Sequence, residues 1–245
     1  MAFYKITYNE KYRFATLHNY GCTFRCPVCS YKLRSGENGK AGHAYPRPDH
    51  FLSTEEIKQK LVQVDIDTLY FMGGEPTIAP DLPELLDFAK NTLNVRTCLG
   101  HTNGSHLPMS NLDGANVGLK AWDEETHLQY TGREKKSIFD NFEAAHQTGI
   151  ELKANIVYIP DFVDIDQIES IAAWLADLSP EIPFHIMGYI PVPGQLFQSP
   201  TVQQMSYAFK ACRKHLAHVN SSHLSSEQAV NLSKRDDRFD VKRIA

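Results

Sequence analysis

Three thiols crowd one short run, Cys22-Thr23-Phe24-Arg25-Cys26-Pro27-Val28-Cys29. At spacings of four and three residues, one turn can carry three thiolates to a face of a small iron–sulfur cube. Soft thiolates select iron–sulfur clusters or zinc. A fourth local Cys or His would close a structural zinc site. The next cysteine is Cys98, so a cluster held here keeps one coordination position open. A zinc knot completed by His43 or His50 is the competing reading. A disulfide with a spare thiol fits less well, because the chain has five cysteines, an odd count, and no visible secretion signal.

The other polar features of note are Gly73-Gly74-Glu75-Pro76, Thr102-Asn103-Gly104, Lys120, Asn155 and His185. Glycines, lacking Cβ atoms, let backbone carbonyls and amides approach a ligand closely. Taken singly, a Gly-Gly pair is an ordinary turn and a strand histidine an ordinary core residue. The elements that carry them change that weight.

Residues 1–12 suit an edge strand or lead-in, and Arg13–Tyr20 reads as the strand that delivers the cysteines. The Gly- and Pro-bearing connection over 30–50 is long enough to read as a lid over them, with a solvated loop as the plainer alternative. Ser53-Thr54-Glu55-Glu56 is a capping box for a helix to about Val64. Short apolar strands are expected at Asp67–Met72, Val95–Gly100, Ala115–Ala121, Glu151–Ile159 and Phe184–Ile190. Helices are expected at about Leu82–Leu93 and near Val202–Leu216. Between them, residues 123–148 form a broken helical stretch, with Gly132 as the break and Ser137 as the second cap, and Asp164 caps an amphipathic helix.

Six strand–helix units demand parallel strands with helical crossovers, hence an α/β fold. Eight units close a barrel, so six predict a partial, laterally open (β/α)6 TIM-like barrel. Residues 1–245 read as one domain, with a core over about 13–193 and a C-terminal helix and tail over 194–245. The polar features then follow or lie in successive strands, and such folds keep their reactive groups at the C-terminal strand ends. Cys98 and Cys212 fall inside a strand and a helix and read as structural, and the mixed-charge run Lys234-Arg235-Asp236-Asp237-Arg238 reads as a solvated face.

Composition agrees with a packed globular chain, at 42% hydrophobic and 22% charged residues. A net charge of −4 gives no electrostatic case for nucleic-acid or membrane binding. No apolar run approaches the roughly 20 residues that cross a bilayer. The N-terminus lacks the apolar core of a signal peptide, which makes cytoplasm the expected location.

The CxxxCxxC spacing and the Gly-Gly-Glu-Pro run together resemble the radical S-adenosylmethionine (SAM) superfamily, across about residues 13–193. The resemblance implies a [4Fe–4S] cluster on Cys22, Cys26 and Cys29, with SAM on the open iron. It implies reductive cleavage of SAM to methionine and a 5′-deoxyadenosyl radical, which abstracts a substrate hydrogen. An electron donor such as flavodoxin or ferredoxin, and anaerobic chemistry, follow from the same likeness.

Within the superfamily the core resembles pyruvate formate-lyase activating enzyme and related glycyl-radical activases. The likeness runs through Thr97-Cys98-Leu99, Thr102-Asn103-Gly104, Leu119-Lys120, Glu125-Thr126-His127 and Thr131-Gly132 to His185 and Tyr189-Ile190-Pro191. It implies SAM contacts from Val28, Gly73, Gly74, Glu75, Pro76, Thr102, Asn103, Lys120, Asn155 and His185. Gly73 to Pro76 would serve the methionyl amino group and Lys120 the carboxylate. Asn155 stands where an arginine is usual, His101 and Gly118 where aspartates are usual, and Val28 where an aromatic is common. Activation or modification of a partner protein is therefore the expected function. A small-molecule radical SAM enzyme of cofactor or metabolite biosynthesis is the alternative, and a non-catalytic zinc module is a third reading.

Overall fold

A computed structural model of the chain describes residues 2–234 and 236–245. The elements run β1 (Phe3–Asn9), β2 (Phe14–Asn19), α1 (Lys32–Ser35), α2 (Thr54–Leu61), β3 (Thr68–Met72), α3 (Leu82–Asn91), β4 (Arg96–Thr102) and β5 (Gly114–Gly118). There follow α4 (Glu124–Thr131), α5 (Lys136–Gln147), β6 (Glu151–Tyr158), α6 (Ile165–Leu178), β7 (Phe184–Gly188), α7 (Val202–Cys212), β8 (Val219–Ser222), α8 (Ser226–Val230) and β9 (Lys242–Arg243). All strands join one nine-stranded sheet, ordered β8-β7-β6-β5-β4-β3-β2-β1-β9. Neighbours from β2 to β8 are parallel, while β1 is antiparallel to both β2 and β9.

The local chemistry explains the elements. In β3, Leu69 and Phe71 are fully buried, and Tyr70 and Met72 alternate to the opposite face, where they are partly buried. Ile168, Ile171, Ala172 and Leu175 of α6 form one buried stripe at helical spacing. Each such side chain contributes about 1.5–3 kcal/mol through removal from water. Ser53 and Glu56 make the expected capping box at α2, and Thr201 with Gln204 makes another at α7.

Four expectations need correction. The parallel strands number seven rather than six, because β8 pairs with β7. The segment read as a tail after the last helix is not irregular, since it supplies β8, α8 and β9. Ser137 does not cap α5: Lys135 is the N-cap, without a side-chain bond, and the Ser137 hydroxyl turns back to the Glu134 carbonyl. Asp164 occupies the N-cap position of α6, but its carboxylate accepts from the Asp161 amide (3.0 Å) instead of a helix N–H.

The sheet is open, with β8 and β9 as its edges, so residues 223–241 span the gap between them. This segment is pinned by Asn9, whose Nδ2 donates to the Asp237 and Asp240 carbonyls (2.9 and 3.2 Å), and by the Tyr12 hydroxyl on Asp237 Oδ1 (2.7 Å). Asp236, Asp237 and Arg238 of the mixed-charge run are thus engaged with protein; Arg235 lies outside the described residues. Among the described residues no helix is long and apolar enough to cross a membrane.

His18 bonds Thr7 Oγ1 (2.9 Å), and burial, aided by Lys5, pushes its pKa down to about 3. The unfolded chain takes up this proton near pH ~6.5 and the folded chain only near the lower value, so stability falls as pH falls through that window. The slope from one such group is up to about 1.4 kcal/mol per pH unit. His18→Gln is expected to flatten the loss of urea midpoint between about pH 6 and 5. Identical slopes in the two proteins would refute this.

Candidate active site

The cysteine turn begins where β2 ends and is fixed by backbone from two other segments. Gly21 N donates to the Gly42 carbonyl (2.8 Å), and Glu75 N donates to the Gly21 carbonyl (2.8 Å). These approaches need glycine. A Cβ on Gly74 would stand 1.9 Å from the Gly21 oxygen, and one on Gly42 would stand 2.5 Å from the Cys22 Cβ. Gly73 and Gly74 both have positive φ, 83° and 49°. At Gly74 the space freed by the missing Cβ is filled by the cysteine turn itself.

Glu75 is fully buried and ties three strand ends together. Its carboxylate accepts from Thr77 N (3.1 Å), Thr77 Oγ1 (2.7 Å), Thr102 Oγ1 (2.7 Å) and Asn103 N. Asn103 Nδ2 in turn donates to Thr23 Oγ1 (2.7 Å) and lies 3.7 Å from Cys22 Sγ. Pro76 opens a single 3₁₀ turn behind this knot, and Val28 is buried beneath the cysteine turn.

All five cysteines are free, and Cys22, Cys26 and Cys29 are half-buried. Burial pushes the Cys26 thiol up to about 12, with Lys120 opposing, and raises Cys22 as well. Thiols so placed stay protonated until a metal cation displaces the proton, which suits ligands of an inorganic centre. Among the described residues no three His, Cys, Asp or Glu side chains converge on one ion. Three thiolates that each take a separate corner iron need no such convergence. Of the two candidate zinc histidines, His50 uses Nε2 to pair with Glu56 (3.0 Å), and His43 uses Nδ1 to bond the Ala41 carbonyl (2.8 Å), so each has one of its two ring nitrogens engaged.

Lys120 lies two residues beyond the end of β5. Gly118 makes its position available, since a Cβ there would sit 2.8 Å from Lys120 Nζ and 3.3 Å from Asn155 Oδ1. Gly118, Asn155, His185 and Asn220 form one lateral row across β5 to β8. His185 Nε2 bonds Ser222 Oγ (2.7 Å), and Asn155 Nδ2 donates to Asn116 Oδ1 (2.8 Å). His101, at the end of β4, keeps exposed surface. Burial, with Lys120 and His185, pushes its pKa down to about 4.

Sequence reasoning missed Asn19 and Tyr31. Asn19 Nδ2 donates to the Gly21 and Glu75 carbonyls (3.1 and 2.8 Å), and the Tyr31 hydroxyl accepts from Gly74 N (3.0 Å). An asparagine at a strand end was the available signal for the first; nothing local marked the second. The 30–50 connection walls the cysteine turn and reaches across to the loop after β7, where Glu37 lies against Gly194.

An open parallel sheet whose free thiols, lysine and imidazoles gather at strand ends defines an α/β half-barrel enzyme built around an inorganic centre. The radical SAM superfamily model matches residues 16–175, and the chain belongs to that superfamily. It is an enzyme whose cofactors are a [4Fe–4S] cluster and SAM. A protein of Methanocaldococcus jannaschii carrying the provisional name glycyl-radical enzyme activating enzyme is 29% identical over 220 residues, 84% of this chain and 80% of that protein. The GTP 3′,8-cyclase of Aeromonas hydrophila is 28% identical over 175 residues, 66% of this chain and 50% of the cyclase. Streptococcus suis SuiB bound to S-adenosylmethionine shares the fold at a TM-score of 0.62 and 16% identity, over 83% of this chain and 48% of SuiB. The chain thus spans only about half the length of these last two relatives.

Proposed function

We propose that the enzyme cleaves SAM reductively to methionine and a 5′-deoxyadenosyl radical, and that the radical activates or modifies a partner protein in the manner of glycyl-radical activases. The observation that carries this reading is three free, half-buried thiols at the end of the first parallel strand, with Lys120 opposing the effect of burial on Cys22 and Cys26. Cys22, Cys26 and Cys29 would hold the cluster, which supplies one electron when bound. Lys120 would meet the SAM carboxylate, aided by the Asn155 amide in place of a second cation. Gly73, Pro76, Val28 and His185 would line the remaining SAM surface. Glu75, Thr102 and Asn103 are engaged with one another, and support the SAM-binding backbone rather than lending free side chains to it. A flavodoxin or ferredoxin would be the electron donor. Protein modification is favoured by the Methanocaldococcus jannaschii relative, which matches this chain along most of both lengths.

The small-molecule reading keeps one support, the similarity to GTP 3′,8-cyclases. Anaerobic reconstitution should load about four irons per chain. The reduced protein should then release 5′-deoxyadenosine from SAM, and a candidate protein partner deuterated at glycine should pass its label into that product. Stoichiometric zinc in place of iron, or no 5′-deoxyadenosine, would overturn the reading. Label transfer only from a small molecule would favour the second.

A further inference from the structure

A cavity of about 850 Å³ lies between β1, β2, the 44–50 segment and β9. Its wall gathers four cations, Lys5, Arg34, Arg47 and Arg243, against one acidic side chain, Asp49. Elsewhere Arg13, Arg96 and Arg238 each grip a side-chain carboxylate; among the described residues none of these four is ion-paired to a side-chain carboxylate. Arg243 Nε donates to a main-chain carboxylate oxygen of Ala245 (2.9 Å), which also lines the cavity and offsets part of that one charge. Lys5 is half-buried, and burial together with repulsion from Arg243 and Arg34 lowers its pKa. On a chain of net charge −4, like charges gathered in a concavity focus a positive potential that a polyanion would relieve.

Two further features make this a built cavity rather than a basic surface. Arg243 is delivered by β9, where it stands opposite Thr7 of β1. Tyr31 lies on the wall while its hydroxyl is held by Gly74 N, so its side chain links the cavity to the cysteine turn. Tyr4 and Tyr45 add aromatic surface.

We propose that this cavity binds a phosphate-bearing small molecule, with its phosphates on Lys5, Arg34 and Arg243. A phosphate carries nearly two charges at neutral pH, and guanidinium forks suit its oxygens. A single carboxylate would leave most of the wall uncompensated. The site stands apart from the residues proposed for SAM, and its test reads binding, so failure of SAM cleavage would leave it intact.

Calorimetric titration of the anaerobically reconstituted protein with inorganic pyrophosphate is expected to show one saturable site. Lys5→Gln and Arg34→Gln should each weaken it by about 10-fold or more, and added salt should weaken it further. Lys40→Gln, on the same connection but off the cavity wall, should leave it unchanged. Saturating SAM should not compete. No saturable binding, equal weakening by Lys40→Gln, or competition by SAM would each overturn the proposal, the last by assigning these cations to the SAM carboxylate.

Discussion

Alanine at Cys22, Cys26 or Cys29 is expected to abolish SAM cleavage while leaving the protein folded. Each thiol would be one of only three anchors for a cluster whose remaining position must stay open for SAM. Removing one leaves two, and a surrogate ligand entering from solvent cannot be prepositioned by the fold. A loss of at least about 10³-fold in 5′-deoxyadenosine release is the expected scale, as for deletion of a group that no neighbour replaces. Stability should barely change, because the three side chains are half-buried and a cysteine-to-alanine change removes one atom. Cys212→Ala supplies the opposite pattern. Its thiol is fully buried in α7 against the Ile168 carbonyl, so its loss should cost about 1 kcal/mol of stability with cleavage intact. Iron content, far-UV circular dichroism and product release distinguish the two patterns. A Cys26→Ala protein that retained iron and activity would refute the assignment.

The alternation of strands and helices was legible because β3 to β7 are short runs, each with a buried apolar face, set between helical stretches, although β3 and β7 bury only alternate residues fully. Strand β8 escaped because Val219-Asn220-Ser221-Ser222 has one buried residue and three polar ones. A terminal strand has a neighbour on one side only, and its hydrogen bonds leave no apolar signature. Strand β9 is two residues long and exists through long-range pairing with β1. Glycine pattern and thiol spacing pointed to the strand ends that the fold brings together, but carried no signal of the bonding among them. The space that the missing Cβ of Gly74 leaves is taken by Gly21 and Gly42, which approach from other segments and left no mark in the local sequence. Ser137 failed as a cap because the chain turns into α5 two residues earlier, at a lysine with nothing to accept a helix amide.

Glu75 shows the consequence of that internal bonding most sharply. Glu75→Ala is expected to destabilise the protein by roughly 3–5 kcal/mol and to lower cluster uptake with all three cysteines intact. Four donors, from Thr77, Thr102 and Asn103, converge on a carboxylate with no solvent access. Alanine would strand them in an apolar space with no water to replace the oxygens, and an unmet buried donor costs about 1–3 kcal/mol. The two hydroxyls can rotate toward other acceptors; the Thr77 and Asn103 amides cannot. Asn103 also bonds Thr23 inside the cysteine turn, so its release would loosen the turn that carries the ligands. Glu75→Gln keeps one acceptor oxygen but points an NH2 group at donors, so an intermediate loss is expected. The measurements are urea unfolding of the metal-free protein, which isolates stability, and iron uptake by the same variants at low temperature, where they remain folded. A Glu75→Ala protein with the wild-type urea midpoint would show that the carboxylate is not what binds these strand ends. Lowered stability with normal iron uptake would separate the knot from the cysteine turn.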